Sequence, residues 1–129
     1  MIEIIELKKS FGNKKVLDGI NLKINEGETL AIIGRSGCGK SVLLKHIVGL
    51  LMPDEGEVLV EGESVTKCNI KTLYEIRRKF GFLFQGAALF DSLTVEENIS
   101  LPLTENDYNF TESQIKEMVK EQLELVGLP

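Results

Sequence analysis

The amino-acid sequence predicts an α/β fold, in which short strands alternate with amphipathic helices. Apolar and polar residues alternate over residues 20–24, which is typical of a half-buried strand. Residues 29–33 form a continuous apolar run with β-branched side chains, which is typical of a strand buried on both faces in a parallel sheet. Over residues 40–51 the apolar positions follow the spacing of one helix face. A mixed architecture accounts for all three patterns.

Further elements follow from the same rules. Residues 2–8 fit an edge strand, and residues 57–61 alternate as another strand. Pro53 is expected to stop the preceding helix, because proline has no N–H to donate. A short helix is expected near residues 73–77, and an apolar strand is expected over residues 80–84.

Two helix starts are marked in the last third of the chain. Thr94 with Glu97, and Thr111 with Gln114, match the capping box, in which the two side chains bond to free backbone N–H groups. Gly127 is a natural residue for ending the last helix. The apolar face of that helix is expected to comprise Ile115, Met118, Val119, Leu123 and Val126.

Length and charge restrict the function. With 129 residues, of which 43% are hydrophobic, the chain forms one domain or part of one. The net charge of -5 argues against a general nucleic-acid binder, which must neutralise many phosphates. Charge is unevenly divided, because residues 1–90 carry thirteen bases and eleven acids, whereas residues 91–129 carry two bases and nine acids. Any phosphate binding must therefore be local.

Other classes are excluded by individual residues. Cys38 and Cys68 lie thirty positions apart with no second pair, which excludes a zinc knuckle and a redox CxxC pair. His46 is the single histidine and lies at helical spacing in an apolar segment, so we expect a packed or solvent-tipped helix residue rather than a catalytic base. The longest apolar stretch, residues 42–52, is too short to cross a bilayer. The amino terminus lacks the pattern of a secretory signal peptide, and a cytosolic location is expected.

The most informative segment is GRSGCGKS, residues 34–41, which matches the phosphate-binding loop pattern. It follows an expected strand and opens an expected helix, so that backbone N–H groups and the helix amino terminus face one anion. Lys40 is expected to reach the β and γ phosphates, and the Ser41 hydroxyl is expected to bind Mg²⁺. Cys38 is interpreted as a small filler without a redox role. The expected nucleotide-binding residues in this loop are Gly34, Arg35, Ser36, Gly37, Cys38, Gly39, Lys40 and Ser41.

Residues 8–63 closely resemble the amino-terminal part of ATP-binding cassette (ABC) transporter ATPases. The resemblance implies that Phe11, near the end of the first strand, stacks on adenine; the alternative is ordinary core packing. Gln85, forty-five positions after Lys40, resembles the Q-loop glutamine of that family. The resemblance implies that it binds Mg²⁺ or positions the attacking water, and so acts in catalysis together with Lys40. The alternative is a polar residue that ends a strand.

Residues 73–103 resemble more narrowly the ATPase of the Mla phospholipid transporters, which maintain lipid asymmetry. Those subunits tend to carry Gln-Ser-Gly-Ala-Leu-Phe where this chain has Gln85 followed by Gly-Ala-Ala-Leu-Phe. The resemblance implies phospholipid transport and a membrane permease that docks near residues 85–101. Within that segment, Leu89, Phe90 and Leu93 are interpreted either as facing the permease or as covering the core.

The resemblance also implies a P-loop NTPase fold of the ABC ATPase type, with a mixed sheet and an antiparallel β subdomain. Residues 1–90 would form the nucleotide-binding core and residues 91–129 the start of a helical subdomain, within which the chain is expected to end. Residues 104–111 are the candidate linker. The complete protein is expected to be a cytoplasmic ATPase, peripheral on the inner face of the membrane, that binds ATP and Mg²⁺ and dimerises head to tail.

The sequence lacks an LSGGQ-like signature, an apolar strand ending in Asp-Glu and a switch histidine. Without a positioned base, this chain alone is expected to bind nucleotide rather than hydrolyse it. Three alternatives stay open: an ABC ATPase for another substrate, a P-loop nucleotide kinase outside transport, and an inactive truncated fragment.

Overall fold

The structure is a computed structural model that describes residues 1–86, 88–105 and 109–129. These residues form two compact units, Met1–Phe82 and Leu83–Pro129. The division predicted from the sequence, into a nucleotide-binding core over 1–90 and a helical subdomain over 91–129, stays a prediction.

The first unit is built on a four-stranded antiparallel sheet with the order β2-β1-β3-β4. Its strands are β1 (Ile2–Phe11), β2 (Lys14–Ile24), β3 (Glu55–Val60) and β4 (Glu63–Ser64). The alternation expected over residues 20–24 is confirmed as part of β2. The expectation that residues 2–8 form an edge strand is wrong, because β3 returns along the free side of β1 and makes it a central strand.

Two helices accompany this sheet, α1 (Lys40–Ile47) and α2 (Ile70–Arg77). Helix α1 is shorter than the range 40–51 predicted from apolar spacing. It ends early because Gly49 takes a φ of 75°, which turns the chain so that the Leu50 N–H donates to the Lys45 carbonyl at 2.8 Å. Helix α2 begins earlier than predicted, where the Asn69 side chain accepts a hydrogen bond from the Thr72 N–H.

The core of the first unit joins the sheet to both helices. The buried cluster consists of Ile4, Leu7, Leu17, Leu43, Ile47, Val58, Val60, Val65 and Ile76. His46 is 1% exposed, and its Nδ1 lies 2.7 Å from the Val42 carbonyl oxygen. The sequence-based interpretation of His46 as a packed helix residue is therefore confirmed.

The structure corrects two predicted strands. Residues 29–33 and 80–84 are described throughout and form no strand. They are also poorly covered, since Ile33 is 94% exposed and Leu83 is 85% exposed. The physical reason is that a parallel strand is stable only between hydrogen-bonded neighbours, and within the described residues no strand pairs with either segment.

A bulge in β1 brings the sheet backbones unusually close together. Glu6 takes a φ of 45° between the paired residues Ile4 and Leu7. Asn21 supports it, because its Oδ1 accepts from the Glu6 N–H at 3.0 Å and its Nδ2 donates to Glu6 Oε1 at 2.7 Å. Gly56 has a φ of 93°, and a Cβ at this position would overlap the Glu6 carbonyl oxygen. Only glycine fits here.

The second unit contains α3 (Val95–Glu105) and α4 (Glu112–Leu125). Both predicted capping boxes are present: Thr94 exchanges hydrogen bonds with Glu97, and Thr111 exchanges them with Gln114. Gly127 takes a φ of 75°, as expected after a helix end.

Some expectations for the second unit need correction. Val119 is buried on the apolar face of α4, but Val126 lies beyond the last helical residue and is 69% exposed. The predicted linker over residues 104–111 is only partly described, because residues 106–108 lie outside the described ranges and residues 104 and 105 belong to α3. None of the helices formed by the described residues is long and apolar enough to span a membrane.

The glycine requirement in the sheet is testable by two matched substitutions. Gly56 and Gly62 both have positive φ, at 93° and 82°, but a Cβ at Gly62 would meet nothing within 4 Å. We expect Gly62→Ala to cost about 1–2 kcal/mol for the backbone conformation alone. Gly56→Ala should cost a further ~1–3 kcal/mol because the β1 backbone must shift. Urea unfolding of both variants measures this difference, and equal losses of stability would contradict the close-contact explanation.

Candidate nucleotide-binding site

The glycine-rich loop, residues 34–41, is closed on itself by contacts among its own residues. Lys40 Nζ donates a hydrogen bond to the Gly34 carbonyl oxygen, so the last part of the loop is tied to the first. The Cys38 N–H donates to the Arg35 carbonyl at 3.2 Å and forms a tight turn. A Cβ at Gly34 would lie 2.5 Å from Cys38 Sγ, which means that the thiol fills the space beside the Gly34 backbone. Cys38 is nevertheless exposed, so its interpretation as a small filler without a redox role stays a prediction.

The amino terminus of α1 is suited to an anion. Gly39 occupies the N-cap position with a φ of 101° and provides no side-chain cap, and the first turn contains no acidic residue. The first N–H groups of any helix lack intrahelical partners, and the helix dipole adds partial positive charge there. Ser41 lies in this first turn and is exposed. The arrangement therefore fits bound phosphate, with a hydroxyl placed beside it.

The loop is seated directly on strand β2. A Cβ at Gly39 would lie 2.9 Å from Val16 Cγ1 and 3.2 Å from the Val16 carbonyl oxygen. Val16 is an extra residue in β2, because Lys9 pairs with Leu17 whereas Ser10 pairs with Lys15. Bulges of this kind redirect a side chain and are common beside functional sites. Here the bulge directs Val16 against the loop.

Phe11 lies at the end of the same hairpin. It pairs with Lys14 of β2. Lys14 lies two residues before the bulge at Val16, and this separation corresponds to about 7 Å along the strand. Its side chain is 47% exposed, so the alternative of ordinary core packing does not describe it. The structure thus brings Phe11 and the glycine-rich loop to one end of the β1–β2 hairpin, and the stacking role stays a prediction.

The structure places Gln85 in a turn. It belongs to the second unit, is exposed, and lies outside any strand, whereas Ser41 belongs to the first unit. The roles predicted for Gln85 in catalysis and for Gln85 and Ser41 in Mg²⁺ binding therefore stay predictions. Across residues 1–86, 88–105 and 109–129, no three His, Cys, Asp or Glu side chains gather as a set of metal ligands.

The predicted docking segment, residues 85–101, exposes apolar side chains. Leu89 is 70% exposed and Phe90 is 55% exposed, whereas Leu93 is half-buried. The alternative that this segment covers the core does not fit Leu89 and Phe90. The predicted segment also includes residue 87, which lies outside the described residues.

Sequence reasoning missed Asn98, which holds the turn of this segment together. Its Oδ1 accepts from the Phe90 N–H at 2.9 Å, while its Nδ2 lies 3.1 Å from the Phe90 carbonyl and 2.9 Å from the Thr94 carbonyl. The position of Asn98, four residues after the capping Thr94, is the only sequence signal that points to this role.

A cluster around Asp54 was also missed. Asp54 Oδ2 accepts from the Ser10 N–H at 2.7 Å, and Asp54 Oδ1 lies 3.5 Å from Lys9 Nζ. Lys9 Nζ in turn donates to the Met52 carbonyl at 2.9 Å. The Ser10 N–H foremost, together with the Lys9 ammonium, holds the pKa of Asp54 below its ordinary value of 3.8. No local pattern reveals this cluster, because Lys9 and Ser10 lie more than forty positions before Met52 and Asp54.

The comparison with protein families agrees with this geometry. The family model described as ABC transporter matches residues 17–129. The chain belongs to the ABC transporter family. The predicted resemblance to the ABC ATPases is therefore confirmed, and it includes the loop at 34–41 and the start of α1.

Two relatives show how this ABC transporter chain compares with known proteins. The probable ribonucleotide transport ATP-binding protein mkl of Mycobacterium leprae (strain TN) is 45% identical over 127 residues, which cover 98% of this chain and 36% of that protein. The intermembrane phospholipid transport system ATP-binding protein MlaF of Haemophilus influenzae (strain ATCC 51907 / DSM 11121 / KW20 / Rd) is 38% identical over 128 residues, which cover 99% of this chain and 48% of that protein. The chain thus spans less than half the length of either relative.

A solved structure shows the same fold. The dimeric structure of MJ0796, a bacterial ABC transporter cassette, matches with a TM-score of 0.88 and 33% identity, covering 100% of this chain and 58% of that one. The predicted fold class, a P-loop NTPase of the ABC ATPase type, is confirmed.

The charge of Asp54 makes a testable contribution to stability. Asp54→Asn removes the charge and keeps an oxygen that accepts from the Ser10 N–H. Because the pKa of Asp54 is lowered in the folded chain, its stabilising effect is present above the ordinary pKa and is lost as the pH falls through the lowered value. We expect the wild type to exceed the variant in stability at about pH 6, with the difference shrinking below about pH 4. Urea unfolding across this range checks it; a constant difference would contradict it.

Proposed function

We propose that this chain is the nucleotide-binding part of an ABC transporter ATPase and that it holds ATP with Mg²⁺ at residues 34–41. The observation that carries the proposal is the loop itself, which Lys40 closes and which leads into a helix start without a side-chain cap or an acidic residue. A phosphate group finds there backbone donors, a cation and the positive end of a helix dipole.

Each predicted residue has a role in this proposal. The N–H groups from Gly34 onward bind the phosphates, and Lys40 moves from the Gly34 carbonyl to the β and γ phosphates. The Ser41 hydroxyl is an oxygen ligand for Mg²⁺, which when bound neutralises charge on the phosphates. Phe11, with nearly half its surface exposed, stacks on the base. The excess of bases in the first ninety residues favours the anionic ligand.

The hydrolysis step belongs to the complete protein in this proposal. Gln85 positions water or Mg²⁺ there, together with residues that the present 129 do not include. A head-to-tail pair of such subunits is consistent with the dimer that MJ0796 forms. The complete subunit would lie in the cytoplasm, peripheral on the inner face of the membrane.

We further propose that the exposed segment over residues 85–101 docks on a membrane permease. Its support is the exposure of Leu89 and Phe90 beside a turn that Asn98 holds in place. The proposed substrate is a phospholipid, which is supported by the likeness to MlaF, a phospholipid transport ATPase. The more similar mkl is named for ribonucleotide transport, so another substrate is the competing proposal.

A nucleotide kinase is less well supported. Such an enzyme needs arginines that bind a phosphoryl acceptor, and Arg77 is already engaged: its Nε donates to the Val48 carbonyl at 2.9 Å and its Nη2 to the Gly49 carbonyl at 3.0 Å. These two bonds hold the end of α1 and give Arg77 a structural role.

Two lysines of α1 provide a matched test of nucleotide binding. Lys40→Ala removes the cation of the loop, whereas Lys45→Ala removes an exposed lysine from the last turn of the same helix. We expect Lys40→Ala to weaken binding of a fluorescent ATP analogue by at least about tenfold, because a charge-assisted contact to phosphate is lost. Lys45→Ala should stay within about twofold of the wild type. Equal affinity of the wild type and Lys40→Ala would contradict the proposal.

The docking segment is tested in the complete protein. Leu89→Asp places a charge in the exposed segment, and Leu125→Asp places one at a similarly exposed site of α4, since these leucines are 70% and 79% exposed. We expect Leu89→Asp alone to reduce co-purification with the membrane subunit from detergent extracts, because burying a carboxylate in an apolar interface is costly. Undiminished co-purification of Leu89→Asp, or equal loss with Leu125→Asp, would count against docking at this segment.

A further inference from the structure

Lys9 is a cation with an unusually complete set of partners. Its side chain is only 19% exposed. The Lys9 Nζ lies 3.5 Å from Asp54 Oδ1 and donates a hydrogen bond to the Met52 carbonyl at 2.9 Å. The same Nζ lies over the ring of Phe11, 5.5 Å from the ring centroid. A lysine side chain that contacts three different groups has few accessible rotamers. It therefore also limits the rotamers of the Phe11 ring that it covers.

The first consequence concerns the faces of Phe11. An aromatic ring offers two faces for stacking, and Lys9 covers one of them. Phe11 is nevertheless 47% exposed, and the face that Lys9 does not cover is the one left for a base to stack on. The ammonium group draws electron density toward its own side, which weakens the repulsion between the ring and an electron-rich purine stacked on the other side.

The second consequence concerns position. Met52 and Asp54 belong to the connection that follows α1, and α1 begins at the glycine-rich loop. Lys9 therefore ties the strand that carries Phe11 to the segment that leaves the phosphate-binding helix. Two further bonds support this tie, from the Ser10 N–H to Asp54 Oδ2 at 2.7 Å and from the Asp54 N–H to the Lys8 carbonyl at 2.8 Å. This cluster therefore links the end of β1 that carries Phe11 to the chain that leaves α1.

We propose that Lys9 is a positioning residue for base recognition: it holds one face of Phe11 and leaves the other to stack on the purine of the nucleotide. This inference rests on the proposed function, because it assumes that nucleotide binds at residues 34–41. In this inference Lys9 does not touch the nucleotide. The contact between Lys9 and Phe11 contributes to the affinity for the base and leaves the affinity for the phosphates unchanged.

The test compares ATP with inorganic tripolyphosphate, both with Mg²⁺, by calorimetric titration of the whole chain. Lys9→Met keeps most of the side-chain volume and removes the charge. We expect it to weaken ATP binding about threefold to tenfold while tripolyphosphate binding stays within about twofold. Lys8→Met is the matched control, because the neighbouring Lys8 is paired with Glu55 at 3.1 Å on the surface. It should change neither affinity.

Two more variants separate positioning from a general loss of structure. Lys9→Arg retains a cation over the ring and should restore most of the ATP affinity that Lys9→Met loses. In a Phe11→Leu background, Lys9→Met should cause no further loss for ATP, because the ring through which Lys9 acts is gone.

The outcomes separate the two proposals. Unchanged ATP affinity in Lys9→Met would overturn the inference alone, as would an equal loss for ATP and tripolyphosphate or an undiminished effect in the Phe11→Leu background. If the wild-type chain binds neither ligand, the proposed function fails, and the inference fails with it.

Discussion

The contact between Gly39 and Val16 is the constraint on which the candidate site depends. The glycine-rich loop approaches the sheet so closely at this point that a Cβ on Gly39 would lie 2.9 Å from Val16 Cγ1. Helix α1 starts at Gly39 and then packs Leu43 and Ile47 into the core. The hairpin that carries Phe11 continues from the same bulge. One close approach therefore joins the start of α1 to the hairpin that carries Phe11.

Strand β1 connects the parts of the first unit that border the candidate site. One side pairs with β2, whose bulge seats the loop, and the other pairs with β3, where Gly56 lies against the backbone of Glu6. At its end, Lys9 and Ser10 are bonded to the connection after α1. The bulge of β2 at Val16 thus lies where the sheet meets the candidate site, which is usual for bulges.

Much of this was accessible from the sequence, since local patterns report local physics. The capping boxes at Thr94 and Thr111, the hairpin strand over residues 20–24 and the phosphate-binding pattern at 34–41 depend on residues close together in the chain. Prediction failed where stability depends on distant neighbours. The apolar runs at 29–33 and 80–84 have the composition of buried strands, yet composition cannot provide the flanking strands that a parallel ladder requires.

The amino-acid sequence by itself determined the family and the fold class, and it predicted phosphate binding by the loop at residues 34–41. The loop prediction follows from glycine, lysine and serine at fixed spacing, because the geometry of such a loop is local. The family follows from a likeness that extends over most of the chain. Only the tertiary structure decided that β1 is a central strand, that Val16 is bulged against Gly39, and that Lys9 covers a face of Phe11. Those arrangements depend on which distant segments meet, and chain topology with side-chain packing decides that.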